Sequence, residues 1–290
     1  MSKVYFTDFR TPYGGPGMPQ KLKNLVKAAG IETIDFKNKF VAIKMHFGEP
    51  GNVSFLRPNY ARAVVDVVKE LGGKPFLTDC NTLYIGGRKN GLDHIQSAYE
   101  NGFNPLTCDC HVVIADGLKG TDEEYVPVKN GELVKEAKIG KALMEADVII
   151  SLTHFKGHEM AGFGGALKNI GMGGGSRAGK MEQHNDGKPR VKQKHCIGCG
   201  KCVAICAHGA PSVVNGKASI DTNKCVGCGR CLANCPMDAI SCIYDASLEN
   251  LNKKIAEYSQ AICQDRPNFH ISLIVDVSPC CDWHAENDVP

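Results

Sequence analysis

Eight of the fifteen cysteines fall into two copies of one spacing. Cys196, Cys199, Cys202 and Cys206 stand as C-x2-C-x2-C-x3-C, and Cys225, Cys228, Cys231 and Cys235 repeat it, with Pro236 following. The 29-residue offset also pairs Gly198 with Gly227, Gly200 with Gly229, Ala204 with Ala233 and Ala210 with Ala239, which marks an internal duplication. The start of the chain has no basic region followed by an apolar one, so no secretory leader is read there and a cytoplasmic protein is expected. In that setting a high cysteine count points away from disulfides and toward metal.

A cubane cluster needs four converging thiolates, and a tight loop can supply three only if the backbone wraps closely around it. Gly198, Gly200, Gly227 and Gly229 suit such wrapping, because glycine tolerates positive φ and brings N–H groups close to sulfur. The spacing resembles that of bacterial two-cluster ferredoxins, in which the fourth cysteine of each run serves the other cluster. That resemblance implies two [4Fe-4S] clusters, one on Cys196, Cys199, Cys202 and Cys235, the other on Cys225, Cys228, Cys231 and Cys206. It further implies a small βαββαβ-like unit devoted to one-electron transfer. Two departures are Ala207, where a proline is usual, and His195 before the first cysteine. A pair of zinc knuckles is the alternative, since C-x2-C is also zinc spacing.

Outside this block the chain reads as α/β. Apolar runs at 4–6, 40–45, 75–77, 112–115 and 148–152 predict buried strands. Between them, 22–29 and 60–71 carry helical periodicity and end at glycine. Strand, helix, strand in this rhythm is the signature of a mostly parallel sheet with flanking helices. Residues 124–139 break it with an Asn130-Gly131 turn that signals a hairpin. After the cysteine block, a helix is expected at 248–262 and a further buried strand at 271–277. The economical organisation is an α/β domain (1–187) interrupted by a small α+β two-cluster ferredoxin-like domain (188–245) and resumed at 246–290.

Parallel strands deliver their carboxyl ends to one edge, where such proteins bind ligands. Read for those positions, the chain offers His46 and Glu49, then Asp79, Cys80 and Asn81, then Asp116, then Thr153, His154, Lys156 and His158, and last Cys280 and Cys281. Singly each has an ordinary explanation, such as a turn, a cap or a core histidine. The run THFKGH is harder to dismiss, with three titratable side chains just past a buried strand. His46, Asp79, Asp116, His154, Lys156, His158 and His184 are the candidate catalytic groups. The glycine-rich stretch at 162–180 is neither a Walker A loop, having Met181 where Ser or Thr belongs, nor a dinucleotide fingerprint, since it follows a helix rather than a strand. Its amides at Gly173, Gly174 and Gly175, with Lys168, Arg177 and Lys180, suggest a cradle for an anionic ligand or second cofactor.

Lys and Arg exceed Asp and Glu by only three, too evenly spread for a nucleic-acid stripe or a polybasic membrane arm. No apolar run approaches the ~20 residues of a membrane span. The expected partners are a redox protein and a small anionic substrate, with no nucleic acid and no membrane.

The motifs IKMHFGEPGN, LTDCNTLY and HFKGHEMAGFGGALKNIGMGGGSRAGKMEQH, together with the cysteine block, resemble the DUF362 family, whose members are often labelled iron-sulfur centre proteins. The resemblance covers nearly the whole chain. It implies an α/β domain bearing a ferredoxin module and supplies no substrate. Members with this module usually carry more cysteine where this chain has Ser278-Pro279-Cys280-Cys281-Asp282-Trp283, and they continue past Pro290, so a truncated α/β domain is expected. The function expected is electron transfer from two [4Fe-4S] clusters to a substrate or second cofactor in a cleft of that domain. The alternatives are a non-catalytic carrier or partner subunit, and an iron-sulfur sensor.

Overall fold

A computed structural model describes residues 3–84, 86–158, 160–184, 188–242 and 247–278. Cys280 and Cys281, and the expected domain crossings at 187/188 and 245/246, lie on or beside residues outside that set. Five parallel strands form the central sheet: β1 Phe40–Lys44, β2 Lys74–Asp79, β3 His111–Ile114, β6 Val148–His154 and β13 Asn268–Leu273. Their order across the sheet is β13-β6-β1-β2-β3. The chain thus builds outward from β1 in one direction and returns to build from β6 in the other. The junction between β1 and β6 is a topological switch point, where the connections diverge and leave a crevice beyond the strand ends.

Burial explains these strands. All seven residues of β6 are buried, as a central strand covered on both faces requires. In β1, Val41 and Ile43 face the core that includes helix α2, Pro58–Glu70, with Ala61, Val64, Val65 and Val68 buried. Ala42 and Lys44 necessarily point to the other face. There the cover includes the hairpin β4 Glu123–Pro127 and β5 Glu136–Gly140, helix α5 Lys141–Glu145, and helix α9 Leu248–Cys263. Helix α1, Met18–Ala28, packs on α2. Helix α3, Gly91–Glu100, is started by Asn90, whose side chain accepts from the N–H groups of Leu92 and Asp93. A single turn, α4 Pro105–Cys108, precedes β3. Glu257 of α9 accepts from the N–H groups of Glu132, Leu133 and Val134 and so pins the hairpin loop.

Three sequence expectations are corrected. Residues 4–6 form no strand and pair with nothing; Val4 and Phe6 are exposed, because alternation without a neighbouring strand leaves the backbone unpaired. The last strand begins at Asn268 and stops at Leu273, short of 277. It lies at the sheet edge, so Ile271 and Leu273 are buried while His270 and Ser272 are exposed, rather than both faces being covered. The hairpin loop is also longer than a two-residue turn at Asn130-Gly131, since the strands end at Pro127 and resume at Glu136.

Beyond β6 lie the short antiparallel pair β7 Lys156–His158 and β8 Gly162–Gly164, a π-helical turn at Lys168–Met172, and helix α6, Arg177–His184. The cysteine-rich segment follows as β9 Pro189–Val191, α7 Lys201–Ile205, β10 Pro211–Val214, β11 Lys217–Ile220, α8 Arg230–Ala233 and β12 Ile240–Cys242. β9 pairs with β12 and β10 with β11, both antiparallel. Each half contributes one strand, one short helix and one strand, as the duplication demands. The sheet is completed by β13, from chain beyond this segment.

Central and edge strands should respond differently to truncation. Ile150→Ala in β6 is expected to cost about 2–5 kcal/mol in chemical denaturation. Ser272→Ala, on the exposed side of β13, should stay within about 0.5 kcal/mol.

Candidate functional site

A cavity of about 520 Å³ opens at the switch point. Its floor is a network of buried charges. Lys44, at the end of β1, directs Nζ to Oδ1 of Asp79 at 3.0 Å and to Oδ1 of Asn169 at 2.9 Å. Asp79, at the end of β2, presents Oδ2 to Arg88 Nη1 at 3.3 Å, and Arg88 Nε meets Glu49 Oε1 at 2.8 Å. Two cations and two carboxylates, each 3% exposed or less, therefore balance one another. Burial alone would raise the Asp79 carboxyl, but Lys44, His94 and Arg88 hold it below the usual carboxylate range. For Lys44 burial wins over Asp79, and its ammonium is pushed down. Asn169, on the π-helical turn, also donates through Nδ2 to Lys44 O, Ser151 Oγ and Thr153 Oγ1. It thereby ties β1 and β6 to the turn that overlies them.

His46, Asp79, His154, Lys156, His158, Lys168, Gly173, Lys180 and His184 all line this cavity. Backbone donors set two of the histidines. Gly48 N–H donates to Nδ1 of His46 at 3.0 Å, and the N–H groups of Met160 and Ala161 donate to Nδ1 of His158. An Nδ1 that accepts carries no proton, so in the neutral ring the proton sits on Nε2. Burial, then the positive field of Arg88, Lys156, Lys44 and Lys168, keeps the His46 pKa well below its ordinary value. His184 is lowered to about 3, by burial and then Lys168, His158 and Lys180. His154 faces Val275 O at 2.7 Å. Among the described residues the lining carries Lys44, Arg88, Lys156, Lys168 and Lys180 and the carboxylate of Asp79, a cationic composition suited to an anion.

Four of the candidates lie elsewhere. Asp116 follows β3, which the sheet order puts two strands away from β1; its Oδ1 accepts from the Asn81 backbone and side chain, and burial raises its pKa to about 6. Arg177 points away from the cavity and donates to the carbonyls of Lys119, Thr82 and Lys89. Gly174 and Gly175 are packing residues and not an amide cradle. A Cβ on Gly174 would strike Ile262, at 2.5 Å, and one on Gly175 would meet Gln183, at 2.8 Å. The glycine-rich stretch is small so that helical turns can press onto α9 and Lys44: a Cβ at Gly171 would collide with Ile255 O, and one at Gly173 with Lys44 Nζ. Sequence reading missed Lys44, Arg88 and Asn169. A lysine inside the apolar run FVAIKM was the available signal for the first; Arg88 and Asn169 carried none.

The cysteine-rich segment surrounds two further small cavities. Cys196, Cys199, Cys202 and Cys235 line one, and Cys206, Cys225, Cys228 and Cys231 line the other. The fourth cysteine of each run thus joins the other run's three. Among the described residues no group of three His, Cys, Asp or Glu forms a ready-made ligand set for a metal ion. Gly198, Gly200, Gly227 and Gly229 all take positive φ, 66° to 74°, which a side chain at these positions would disfavour. The N–H of Ala218 reaches Cys196 Sγ and that of Ala239 reaches Cys235 Sγ, each at 3.3 Å. Amides from Ala218 and Gly198 draw the Cys196 thiol down, whereas burial, then Cys225 and Cys228, push Cys231 up to about 12. Cysteine thiols that line one small cavity and accept from backbone amides are the type of donor an iron-sulfur cluster uses.

The second cavity abuts the α/β part. Gly229 lies so close to Arg177 and Met181 that a Cβ there would come within 2.6 Å of Arg177 Cδ and 3.2 Å of Met181 Sδ. Met181 packs on Leu83, and Leu83 lines the large cavity. Lys89 pairs with Asp238 across the same seam.

These features define an open parallel α/β protein with a cationic cavity at its switch point, joined to a duplicated cysteine-rich segment. The chain belongs to the family described as "Domain of unknown function (DUF362)", matched over residues 41–290. A curated relative, the thylakoid-associated protein sll1697 of Synechocystis sp., is 29% identical over 127 residues, which is 42% of this chain and 34% of that protein. The chain therefore spans about a third of that relative's length. Among solved structures, the lactate racemase apoprotein of Thermoanaerobacterium thermosaccharolyticum aligns with a TM-score of 0.38 and 16% identity, over 83% of this chain and 43% of that one. A Thermotoga maritima protein aligns with a TM-score of 0.44 and 14% identity, over 88% and 50%.

Two measurements follow from the charges. Asp79→Ala strands Lys44 and Arg88 without a shared carboxylate and should cost about 3–5 kcal/mol in denaturation. The raised pKa of Asp116 means that its carboxyl favours the folded state when protonated. Its contribution is fully present below pH 3.8 and is lost as pH rises toward about 6. Asp116→Asn should consequently gain stability relative to wild type at pH 7.5 compared with pH 5.

Proposed function

We propose that this protein is an iron-sulfur electron-transfer protein, in which residues 188–242 act as a ferredoxin-like module holding two [4Fe-4S] clusters. The proposed ligand sets are Cys196, Cys199, Cys202 and Cys235 for one cluster, and Cys225, Cys228, Cys231 and Cys206 for the other. The reading rests on the crossed cysteine sets around the two small cavities. The order β9-α7-β10-β11-α8-β12 and the positive-φ glycines support it. When bound, the clusters supply single electrons.

We further propose a redox enzyme that acts on a small anionic substrate or second cofactor in the switch-point cavity. Lys156, Lys168 and Lys180 would neutralise the anion. His46 would stay neutral near pH 7, since its pKa lies well below the ordinary value, and would serve as an Nε2–H hydrogen-bond donor rather than a base. Lys44 and Asp79 would hold a proton between them at the floor, at the 3.0 Å spacing of a direct transfer. The contact chain Gly229, Met181, Leu83 puts the inner cysteine set next to the cavity wall. That adjacency favours an enzyme over a carrier whose α/β domain only docks another protein.

Anaerobically purified protein should hold about eight iron and eight inorganic sulfide per chain. Cys199→Ala should lose one cluster's electron paramagnetic resonance signal and keep the other. Two zinc and no sulfide would overturn the reading. Lys156→Ala should leave cluster absorption unchanged and abolish co-purification of a small anion, read by mass spectrometry of the released material.

A further inference from the structure

The two cysteine cavities are not equivalent. The one bordered by Gly229 is pressed against Arg177 and Met181 of the α/β part. The other opens outward: Cys199 is the one exposed thiol among the described cysteines, and Cys196 and Cys202 beside it are buried. Around Cys199 the surface is apolar at its centre. Ile197 is 60% exposed, Met237 44% and Val203 40%; Ile197 and Met237 wall the same cavity as Cys199.

Charge distinguishes this face from the rest of the chain. Between residues 192 and 220 there is no Asp or Glu, while Lys192, Lys194, Lys201 and Lys217 are all present. All four are exposed. Lys217 donates to Gln193 O and Cys196 O, so its charge sits over the outer cysteine loop, with no carboxylate partner among the described residues. The chain as a whole carries a net charge of only +3, yet residues 192–220 hold four lysines and no acid, so the even spread expected from the totals does not hold over this stretch.

An apolar patch in a lysine-rich stretch, with Lys201 and the Lys217 contact beside the exposed Cys199, matches a transient docking surface for a protein of opposite charge. We propose that this face is where an acidic one-electron carrier protein docks, reduced carrier delivering its electron at the Cys199 end while Gly229 marks the inner end of the path. One electron leaves the carrier, which is oxidised, and enters the module, which is reduced; no proton or leaving group moves. The inference rests on the iron-sulfur reading above. Fields of this kind act over about 8–10 Å at ordinary ionic strength and raise encounter rates in a salt-dependent way.

The test is stopped-flow reduction of the purified holoprotein by a reduced acidic bacterial ferredoxin. The second-order rate should fall by about tenfold or more between roughly 0.05 and 0.5 M salt. In the double variant Lys194→Glu, Lys201→Glu the low-salt rate should drop by about tenfold and the salt dependence should flatten. Iron and sulfide content, and reduction by photoreduced deazaflavin, should not change. If the double variant sheds iron, the milder Lys194→Gln, Lys201→Gln pair should show a smaller loss of the same kind. A rate indifferent to salt, or untouched by both variants in iron-replete protein, would overturn the docking face alone. So would retention of RNA by this face with carrier reduction unaffected. Wild-type protein without iron would instead overturn the parent reading, and the docking face with it.

Discussion

Lys44, Asp79, Arg88 and Glu49 form a chain of charges buried at the carboxyl end of the sheet, and the site depends on it. Taking each ion out of water costs several kcal/mol, so none could sit there alone. Together they sum to zero and each finds a partner at 3.3 Å or less. The consequence is geometric more than energetic. Lys44 belongs to β1, Asp79 to β2, and Arg88 and Glu49 to the loops beyond them, so satisfying the charges fixes four pieces of chain at once. Asn169 extends the constraint to β6 and to the π-helical turn.

Above this neutral floor the lining is rich in cationic side chains. Lys156, Lys168 and Lys180 stand around a cavity in which Asp79, the lining carboxylate among the described residues, pairs with Lys44 and Arg88. Burial first, and then these cations, depress the pKa of His46 and His184. Both rings are thereby kept neutral in the cavity where an anionic ligand is proposed.

The seam between the two halves relies on a second buried cation. Arg177 spends its guanidinium on the carbonyls of Lys119, Thr82 and Lys89, and its aliphatic stem is covered by Gly229. No larger residue fits at 229, where both the positive φ and the approach of Arg177 require glycine. The residue suggested by sequence as an anion ligand is instead the contact that sets the cysteine-rich segment against the cavity wall.

Periodicity determined much of the architecture by itself. Continuous apolar runs identified four of the five sheet strands closely, and glycine stops placed α1 and α2 to within a few residues, because these patterns report local burial and backbone freedom. The cysteine duplication was equally legible, since cysteine spacing is written in the chain. The strand-end positions His46, Asp79, His154, Lys156 and His158 line one cavity, as parallel strands deliver their ends to one edge. The order of the strands was not legible, and it is the reason Asp116 falls outside. Nor was the role of the glycines at 171–175, which look like an exposed loop in sequence and serve as close contacts in space. Lys44 and Arg88 could be recognised as site residues only when the fold brought Asp79 and Glu49 to them, because pairing of buried charges depends on distances that no local pattern encodes.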